Sequence, residues 1–467
     1  MPGKRDRIVK GGGLTEVLRI ALPLILSSSC HAVNMFVDRL MLARHSQEAV
    51  AAAFTSGLTN FTIMCLFVGT IGYTGTFVAQ YEGARQRDRI GGAVWQGIYL
   101  SLLGGALMLT GLWWAEALFG HVGHDPAVMR QEVVYFRILC FGAFFFLACG
   151  ALSSFWTGRG RTVLVLIVSI VTTLFNLPLN YLLIFGKCGF PALGVAGAAW
   201  GTLVSELLGM LIYLVLFLLP SARRHFGTLH FRFDPKLMLR MIRFGLPSGI
   251  HLTLDLISFN IFSMLLGGYG VAVHEASSIT FGINNIAFCP VLGIGMTASV
   301  LVGQAIGGGN IPLARKSVRS CLVLVEGYTL LMVLLFTCGQ SLVLAPFVRP
   351  GDTGQAEALR YAGIMLYLIS AYLFFDGLNI TFSNAIRGAG DTRFPMWVMT
   401  LSSIFVFALP CVILFSLGMP WWTLWLTLLV DVPLLATVFT LRYLGGKWTH
   451  MRVIDTPPAD PADPAEA

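Results

Sequence analysis

Twelve apolar stretches follow one another along the sequence, each with the length of about 20 residues that an α-helix needs to cross a bilayer. They lie near residues 15–42, 50–81, 91–119, 131–156, 162–186, 194–219, 239–267, 272–306, 314–345, 358–386, 394–417 and 421–445. Of the 467 residues, 56% are hydrophobic and only 12% are charged, whereas soluble domains carry about 25% charged residues. The sequence therefore excludes a soluble globular protein and predicts an all-α polytopic membrane protein.

Basic residues are concentrated on alternate connections between these stretches. One set of connections carries residues 4–10, Arg85, Arg87, Arg89, Arg159, Arg161, the 223–243 linker, Arg315, Lys316, Arg319, Arg387, Arg393, Arg442, Lys447 and Arg452. The other set carries only Arg44, Arg130, Lys187, Arg349 and Arg360. Because cytoplasmic loops are enriched in Lys and Arg, both termini are predicted to be cytoplasmic. The net charge of +8 then reflects membrane topology and not nucleic-acid binding.

The two halves of the chain resemble each other at a nearly constant separation. The matched pairs are Pro23 with Pro247, Gly69 with Gly293, Gln80 with Gln304, Gly83 with Gly307, Gly158 with Gly388, Gly160 with Gly390 and Thr162 with Thr392. Each half holds six spans, an even number, so both halves start on the same side of the membrane. They are predicted to be parallel repeats with the substrate site between them.

This duplication sets the predicted domain organisation. The segments are a cytoplasmic N-terminal segment (1–13), an N-lobe of six helices (14–219), a cytoplasmic linker (220–238), a C-lobe of six helices (239–445) and a cytoplasmic tail (446–467). The tail is predicted to be disordered because it ends in the Pro/Ala/Asp-rich sequence TPPADPADPAEA. The first apolar run is too long for a cleaved signal peptide and is predicted to remain as the first helix.

Motifs for catalysis or metal binding are missing from the sequence. The nine cysteines are scattered without a CxxC pair, so neither a disulfide framework nor a zinc site is predicted. His121, His124 and Asp125 could hold a metal ion, but a hydrated outward loop is the favoured interpretation. An intramembrane enzyme would need a nucleophile–base pair or an HExxH motif, and neither is present. The chain is therefore predicted not to be an enzyme and to need no cofactor.

Polar residues inside the N-lobe spans share helix faces. Those of the first, fifth and sixth spans are His31, Asn34, Asp38, Asn176, Asn180 and Thr202. In the first span the spacing i, i+3 and i+7 places the first three on one face, while Arg39 is rotated by about 100° from Asp38.

The C-lobe carries similar stripes. They consist of His251 and Asp255 in the seventh span, and of Tyr372, Asp376, Asn379 and Ser383 in the tenth. Three further acids, Glu206, Glu326 and Asp431, stand in no comparable stripe, and a structural role is favoured for them.

Acids at such positions have three possible roles. A carboxylate in the hydrocarbon core costs about 2.5–3.5 kcal/mol on insertion scales, so it usually faces a partner, a cavity or an ion path. Asp38, Asp255 and Asp376 could carry protons, bind Na⁺, or only form hydrogen bonds that hold helices together. The rich stripes around Asp38 and Asp376 favour ion or proton coupling. His31 and His251 fit packing and proton relay equally well.

Several segments together resemble the MATE (multidrug and toxic compound extrusion) family. They are VDRLMLARHSQEAVAAA, FVAQYEGA, LVGQAIGGGN, NLPLNYLLIFGKCGFPALGVAGAAWGT and SNAIRGAGDTRFPMW. The resemblance covers about residues 14–445 and is closest to the NorM-type branch. It implies two six-helix lobes that form a V, and efflux of cationic or amphipathic compounds in exchange for Na⁺ or H⁺.

The resemblance also implies roles for individual residues. It assigns N-lobe cation or proton coupling to Asp38 with Asn34, Asn176, Asn180 and Thr202, and C-lobe cation coupling to Asp255, Tyr372 and Asp376. Two departures stand out. Asp255 replaces the usual Glu and would bring a cation closer to the helix backbone. Arg39 follows the first-helix acid where a small or neutral residue is usual, and contact with Asp38 would weaken a proton-carrier role.

The residues and the resemblance together predict a secondary antiporter that acts as a monomer on organic cations or amphipathic drugs in a bacterial inner membrane. The alternative is a lipid-linked saccharide flippase of the same broad superfamily. Such a flippase is expected to line its cavity with several cationic residues for phosphate, whereas most span interiors here lack Lys and Arg. A non-transporting receptor is disfavoured by the duplication and by the acids in both lobes.

Overall fold

The computed structural model describes residues 11–121, 124–348 and 355–455. Within these ranges the chain is helical without β-strands, and twelve helices are long and apolar enough to cross a membrane. In chain order, α1 to α12 are Leu14–His45, Glu48–Gly83, Arg87–Leu109, Pro126–Thr157, Thr162–Phe185, Val195–Phe217, Pro235–Gly267, Val271–Gly307, Ile311–Thr337, Gln355–Ala389, Arg393–Ser416 and Trp422–Leu444. Each predicted span overlaps one of them, so the predicted fold class is confirmed.

Local sequence explains where several helices begin or change course. Asp125 and Asp234 precede α4 and α7, and each accepts a hydrogen bond from the backbone N–H two residues on, at 2.8 and 2.9 Å. α2 consists of two helices, Gln47–Gly72 and Thr74–Gly83, and α11 contains a π-helical stretch, Ser402–Ala408. Short helices in the connections are Gly111–Gly120, Pro220–Phe226 and Gln340–Leu344. The 3₁₀ turn Arg87–Arg89 forms the start of α3, and two further 3₁₀ turns are Ala345–Phe347 and Lys447–His450.

The helices form two bundles of six that follow the sequence duplication. In the N-lobe, α4 packs against α2, α3 and α6, and α5 packs against α1 and α6. In the C-lobe, α10 packs against α8, α9 and α12, and α7 packs against α11. The lobes meet through α1 with α8 and through α7 with α2. Since the duplication matches α1 to α7 and α2 to α8, these two contacts are related by approximate two-fold symmetry.

The lobes touch closely at the end of the bundle where α1 begins and α12 ends, which we call the terminal face. A Cβ on Gly83 would overlap the carbonyl oxygen of Gln304, and a Cβ on Gly307 would overlap the carbonyl oxygen of Gln80. These four residues are two matched pairs of the internal repeat. Glycine is therefore required on both sides of the interface for α2 and α8 to approach each other.

Away from the terminal face each lobe has its own buried core. In the N-lobe one such cluster contains Leu42, Ala49, Ile184, Val195 and Ala198. Its C-lobe counterpart contains Phe262, Leu266, Val273, Leu366 and Trp425. Because these clusters do not span the two bundles, the lobes are held together mainly at the terminal face and separate toward the opposite face.

The prediction of a disordered tail over residues 446–467 is wrong for its first part. Lys447–His450 forms a 3₁₀ turn, and the side chains of Trp448, Val453 and Ile454 are buried. The predicted disorder rested on the composition of the last residues, whereas these three apolar side chains stand before that sequence. Residues 456–467 of the predicted tail and residues 1–10 of the predicted N-terminal segment lie outside the described residues.

Candidate functional site

The first and fifth helices meet in a buried polar cluster in the N-lobe. Asn180 Nδ2 donates hydrogen bonds to Asp38 Oδ1 at 2.5 Å and to Asn176 Oδ1 at 2.9 Å. Both asparagines are fully buried. Asn34 Oδ1 is also buried and has no hydrogen-bond partner among the described residues. The cluster therefore has unused oxygen acceptors beside a carboxylate, a combination suited to a proton donor or a small cation.

The sixth helix contributes space to this cluster. Gly201 of α6 faces Asn180, and a Cβ there would overlap Asn180 Oδ1. The neighbouring Thr202, which the sequence placed in the cluster, donates its hydroxyl to Ala198 O of its own helix at 3.0 Å. The structure thus gives Thr202 no hydrogen bond to Asp38 or Asn180. Gly201 was missed because a glycine carries no chemical signal in the sequence.

Arg39 points away from the polar cluster. Its guanidinium carbon lies 5.2 Å from the centre of the Phe54 ring on α2, which is within the range of a cation–π interaction. Tyr135 of α4 lies within electrostatic range of both Asp38 and Arg39. Arg39 therefore contacts a neighbouring helix, and Asp38 keeps its hydrogen bond to Asn180.

A second polar cluster lies in the C-lobe and joins three helices. Ser403 Oγ on α11 donates to Asp255 Oδ1 on α7 at 3.5 Å, and Asn379 Nδ2 donates to Asp376 Oδ1 on α10 at the same distance. Asp376 feels the charges of both Asp255 and Asp431. Tyr372, one turn before Asp376, is buried. The sequence-predicted C-lobe residues are therefore brought into one region.

Asp431 of α12 belongs to this region, although the sequence favoured a purely structural role. Its Oδ1 accepts a hydrogen bond from Ser402, the residue beside Ser403 in the π-helical stretch. Glu326 of α9 also lies within electrostatic range of Asp376. Asp431 is alone on its helix, so its place became visible only when the packing of α11 against α12 was known.

The two predicted relay histidines have different surroundings. His31 is exposed on α1. On α7, His251 lies in the electrostatic field of Arg387, as does Asp255 one turn later. His251 Nδ1 is buried and has no hydrogen-bond partner among the described residues. The two histidines thus differ in burial, and their predicted part in proton relay stays a prediction.

The outward His/Asp cluster forms separate local contacts. His124 Nδ1 pairs with Glu132 Oε1 at 2.9 Å, His121 Nδ1 lies near Ala117 O, and Asp125 caps α4. In the part of the chain that the structure describes, no group of three His, Cys, Asp or Glu side chains is arranged to hold a metal ion.

Comparison with known proteins identifies the family. The family model described as MatE matches residues 23–182 and 247–413, which is more than half of the chain and includes both repeats. The chain belongs to the MATE family. As a member of a transporter family it is not an enzyme, and the predicted family is confirmed.

Named relatives of this MATE protein come from several bacteria. It is 27% identical over 413 residues to "Multidrug resistance protein PmpM" of Pseudomonas aeruginosa, covering 88% of this chain and 85% of the relative. It is 25% identical over 451 residues to "Probable multidrug resistance protein NorM" of Thermotoga maritima, covering 94% of each.

Solved transporters share the fold. A structure described as the "outward-facing conformation of a multidrug resistance MATE family transporter of the MOP superfamily" superposes with a TM-score of 0.84 at 17% identity, covering 98% of this chain and all of that one. A MATE "in the straight conformation" gives a TM-score of 0.84 at 18% identity, covering 95% and 99%. The two-lobe V-shaped architecture is therefore common to these proteins and this MATE transporter.

Proposed function

We propose that this MATE transporter is a secondary antiporter that exports organic cations or amphipathic drugs in exchange for Na⁺ or H⁺. The observation that carries the proposal is the pair of polar clusters, one in each lobe, in helices that otherwise bury apolar side chains. Asp38 stands in the first cluster, and Asp255, Asp376 and Asp431 stand in the second. Intramembrane carboxylates with partners of this kind mark ion and proton pathways.

Alternating access follows from how the lobes are joined. We place the terminal face in the cytoplasm because the basic connections lie there, and the protein in a bacterial inner membrane because its named relatives come from bacteria. The lobes are closed there and separate toward the opposite face, so the structure corresponds to a transporter open to the outside. Opening to the cytoplasm would require the two bundles to rock apart at the terminal face.

Coupling in the N-lobe would act through Asp38 and Asn180. When Asp38 takes up a proton or a cation, its hydrogen bond from Asn180 Nδ2 loses the charge that strengthens it. The contact between α1 and α5 would then weaken, and α1 also forms part of the contact between the lobes. An ion that binds more tightly to one lobe arrangement than to the other shifts the transporter toward that arrangement.

Coupling in the C-lobe would act through Asp255 and Asp376, with Tyr372 beside them. Asp255 is more exposed than Asp376. Carboxylate, amide and hydroxyl oxygens suit hard cations such as Na⁺. The shorter Asp255 side chain is supplemented by Ser403, whose hydroxyl lies 3.5 Å from the carboxylate.

The substrate class rests on the acids and on the relatives. A cavity between lobes that carry these acids favours cationic molecules, and an aromatic side chain in contact with the cation would add about 0.5–2 kcal/mol of cation–π attraction. The relatives PmpM and NorM are named as multidrug resistance proteins. We therefore infer small organic cations or amphipathic drugs as substrates of a protein that acts as a monomer.

Transport in proteoliposomes under separately imposed Na⁺ and proton gradients tests the proposal. We expect wild type to move an organic dye cation against one of these gradients, and Asp38→Asn and Asp376→Asn to lose gradient-driven transport. Glu206→Gln is the matched control, because Glu206 is an intramembrane acid outside both clusters. Full transport by Asp38→Asn and Asp376→Asn contradicts the assigned sites. Scrambling of lipid-linked sugars without dye transport identifies a flippase instead.

A further inference from the structure

We propose that residues 446–455, which we call the C-terminal strap, lock the two lobes together at the terminal face. The proposal rests on the alternating access proposed above, because a lock matters only if the lobes separate there. The strap has to leave its contacts before the transporter opens at this face. The strap thus influences when the terminal face can open during the transport cycle.

The strap begins in the C-lobe. Trp448 is buried, and its ring stacks on Tyr443 of α12 with 5.0 Å between ring centres and 11° between planes. Its Nε1 donates a hydrogen bond to Tyr443 O at 2.9 Å. Trp448 also belongs to a buried cluster that contains Val302 and Phe439 of the C-lobe. This end of the strap is therefore fixed to the C-lobe.

The strap ends against the N-lobe. Val453 and Ile454 are 1% and 7% exposed, and they belong to a buried cluster formed mainly by N-lobe side chains, including Val78 and Tyr81 of α2. Beyond them, Asp455 Oδ1 pairs at 2.6 Å with Arg240 Nη2 of α7, a C-lobe helix that packs against α2 of the N-lobe. A segment of ten residues thus has one apolar anchor in each lobe.

Gln80 joins the strap to the interface between the lobes. Its Nε2 on α2 donates to Gly388 O and Ala389 O of α10 at 3.0 and 3.2 Å. Its Oε1 accepts a hydrogen bond from the Val453 backbone N–H at 2.9 Å. Both ends of this buried amide are therefore used across the lobes, one by α10 and the other by the strap.

The internal repeat shows which part of this arrangement is additional. Gln304, the repeat partner of Gln80, donates from Nε2 to Gly158 O at 2.7 Å, and Gly158 is the repeat partner of Gly388. The hydrogen bonds from these glutamines to the opposite lobe are therefore related by the approximate two-fold symmetry. The segment that follows α6 instead packs on its own lobe, where Trp95 Nε1 donates to Thr228 O at 2.8 Å. The segment after α12 therefore makes a contact with the other lobe that the segment after α6 does not repeat.

A physical consequence follows for the conformational equilibrium. Parting the lobes at the terminal face breaks the Gln80 hydrogen bonds and exposes Val453 and Ile454 to water. The contacts that the strap makes across the lobes therefore stabilise only the state that is closed at the terminal face. Weakening the strap should therefore raise the population that is open at the terminal face.

Hydrogen exchange of the detergent-solubilised full-length protein, read by mass spectrometry, tests the lock. We expect the double variant Val453→Ala/Ile454→Ala to exchange the amides around residues 300–308 and 386–391 about tenfold faster or more than wild type. Arg452→Ala is the matched control because Arg452 is exposed in the same segment, and it should exchange like wild type. Amides of α4 and α5 near the opposite face should be unchanged in both.

The outcomes separate the lock from the proposed function. If the double variant fails to fold, Ile454→Val, which removes one methylene from the contact with the N-lobe, should give a smaller increase of about two- to tenfold at the same amides. Faster exchange in the strap with unchanged exchange at residues 300–308 and 386–391, or no change in either variant, overturns the lock. Absence of gradient-driven dye transport by wild type contradicts the proposed function, and the exchange result is read independently of it.

Discussion

Asn180 is the residue on which the N-lobe cluster depends, because its side-chain amide reaches both Asp38 and Asn176. The spacing predicted that Asn176 and Asn180 share a face of the fifth span, and the family resemblance implied that they act with Asp38. Spacing could not predict that Thr202 bonds within its own helix, or that Asp431 joins the C-lobe acids. A helical period shows which side chains share a face, but not which faces of different helices meet.

Gly201→Ala tests the N-lobe cluster without changing any polar group. The added methyl would overlap Asn180 Oδ1, so Asn180 has to rotate and its bond to Asp38 is lost. A hydrogen bond to a charged group contributes about 1.5–3 kcal/mol, and we expect gradient-driven dye transport to fall at least several-fold. Gly150→Ala is the control, since a Cβ there meets open space. Normal transport by Gly201→Ala would show that the Asp38–Asn180 bond is dispensable.

The pH dependence of the strap follows from Asp455. The hydrogen bond from Arg240 lowers the pKa of Asp455 below its usual value of 3.8, and Arg89 and Lys236 act in the same direction. Because the pKa is lowered in the paired state, the pair stabilises the closed strap fully above the usual pKa of 3.8. This stabilisation is lost as the pH falls through the lowered pKa. His230 also lines the cavity beside Asp455.

We therefore expect exchange of the strap amides, corrected for intrinsic chemistry, to be level between about pH 5 and about pH 8. Asp455→Asn should show the same level profile, because neither the aspartate of wild type nor the asparagine of the variant changes its charge across this range. A step near neutral pH in wild type would assign control of the strap to another group, and a His230→Gln variant identifies whether that group is His230.

At the scale of elements, the helices were predictable and their irregularities were not. Hydropathy dictates each span, because a backbone in lipid has to satisfy its own hydrogen bonds within a helix. The break at Tyr73 and the π-helical stretch Ser402–Ala408 leave no signal in the hydropathy of the sequence. The strap was predicted to be disordered from the Pro/Ala/Asp-rich composition of the residues that follow it, and composition does not show that Trp448, Val453 and Ile454 are buried.

The close approach of α2 and α8 gives a prediction at this scale. Gly83→Ala places a methyl where it would overlap the backbone oxygen of Gln304, and a backbone cannot rotate away as a side chain can. We expect the lobes to be forced apart at the terminal face, with faster hydrogen exchange at residues 300–308 and reduced transport. Gly92→Ala, whose Cβ meets open space, should behave like wild type. Unchanged exchange in Gly83→Ala would show that the interface adapts without opening.

At the scale of the whole molecule, the duplication predicted two lobes, and the structure shows that the repeat-matched residues build the contact between them. Gln80 and Gln304 each reach across to a carbonyl in the glycine motif of the other lobe. Residues matched by the repeat thus stand at the place where a rocking motion has to break contacts. The sequence predicted the symmetry, while the crossing of the strap, which breaks it, required the structure.

A disulfide across the terminal face tests whether the lobes must part there. A Cβ on Gly303 would lie 3.0 Å from the Cβ of Ala79, and a small adjustment brings this to the roughly 3.5–4.5 Å of a disulfide. In Ala79→Cys/Gly303→Cys, we expect oxidation to stop dye transport and a reductant to restore it, because the crosslink holds the lobes closed at this face. Each single variant should be insensitive to oxidation, and peptide mass spectrometry has to show the intended bond among the native cysteines. Continued transport by the crosslinked protein would mean that substrate crosses without separation of the lobes at the terminal face, and alternating access by rocking would then be wrong.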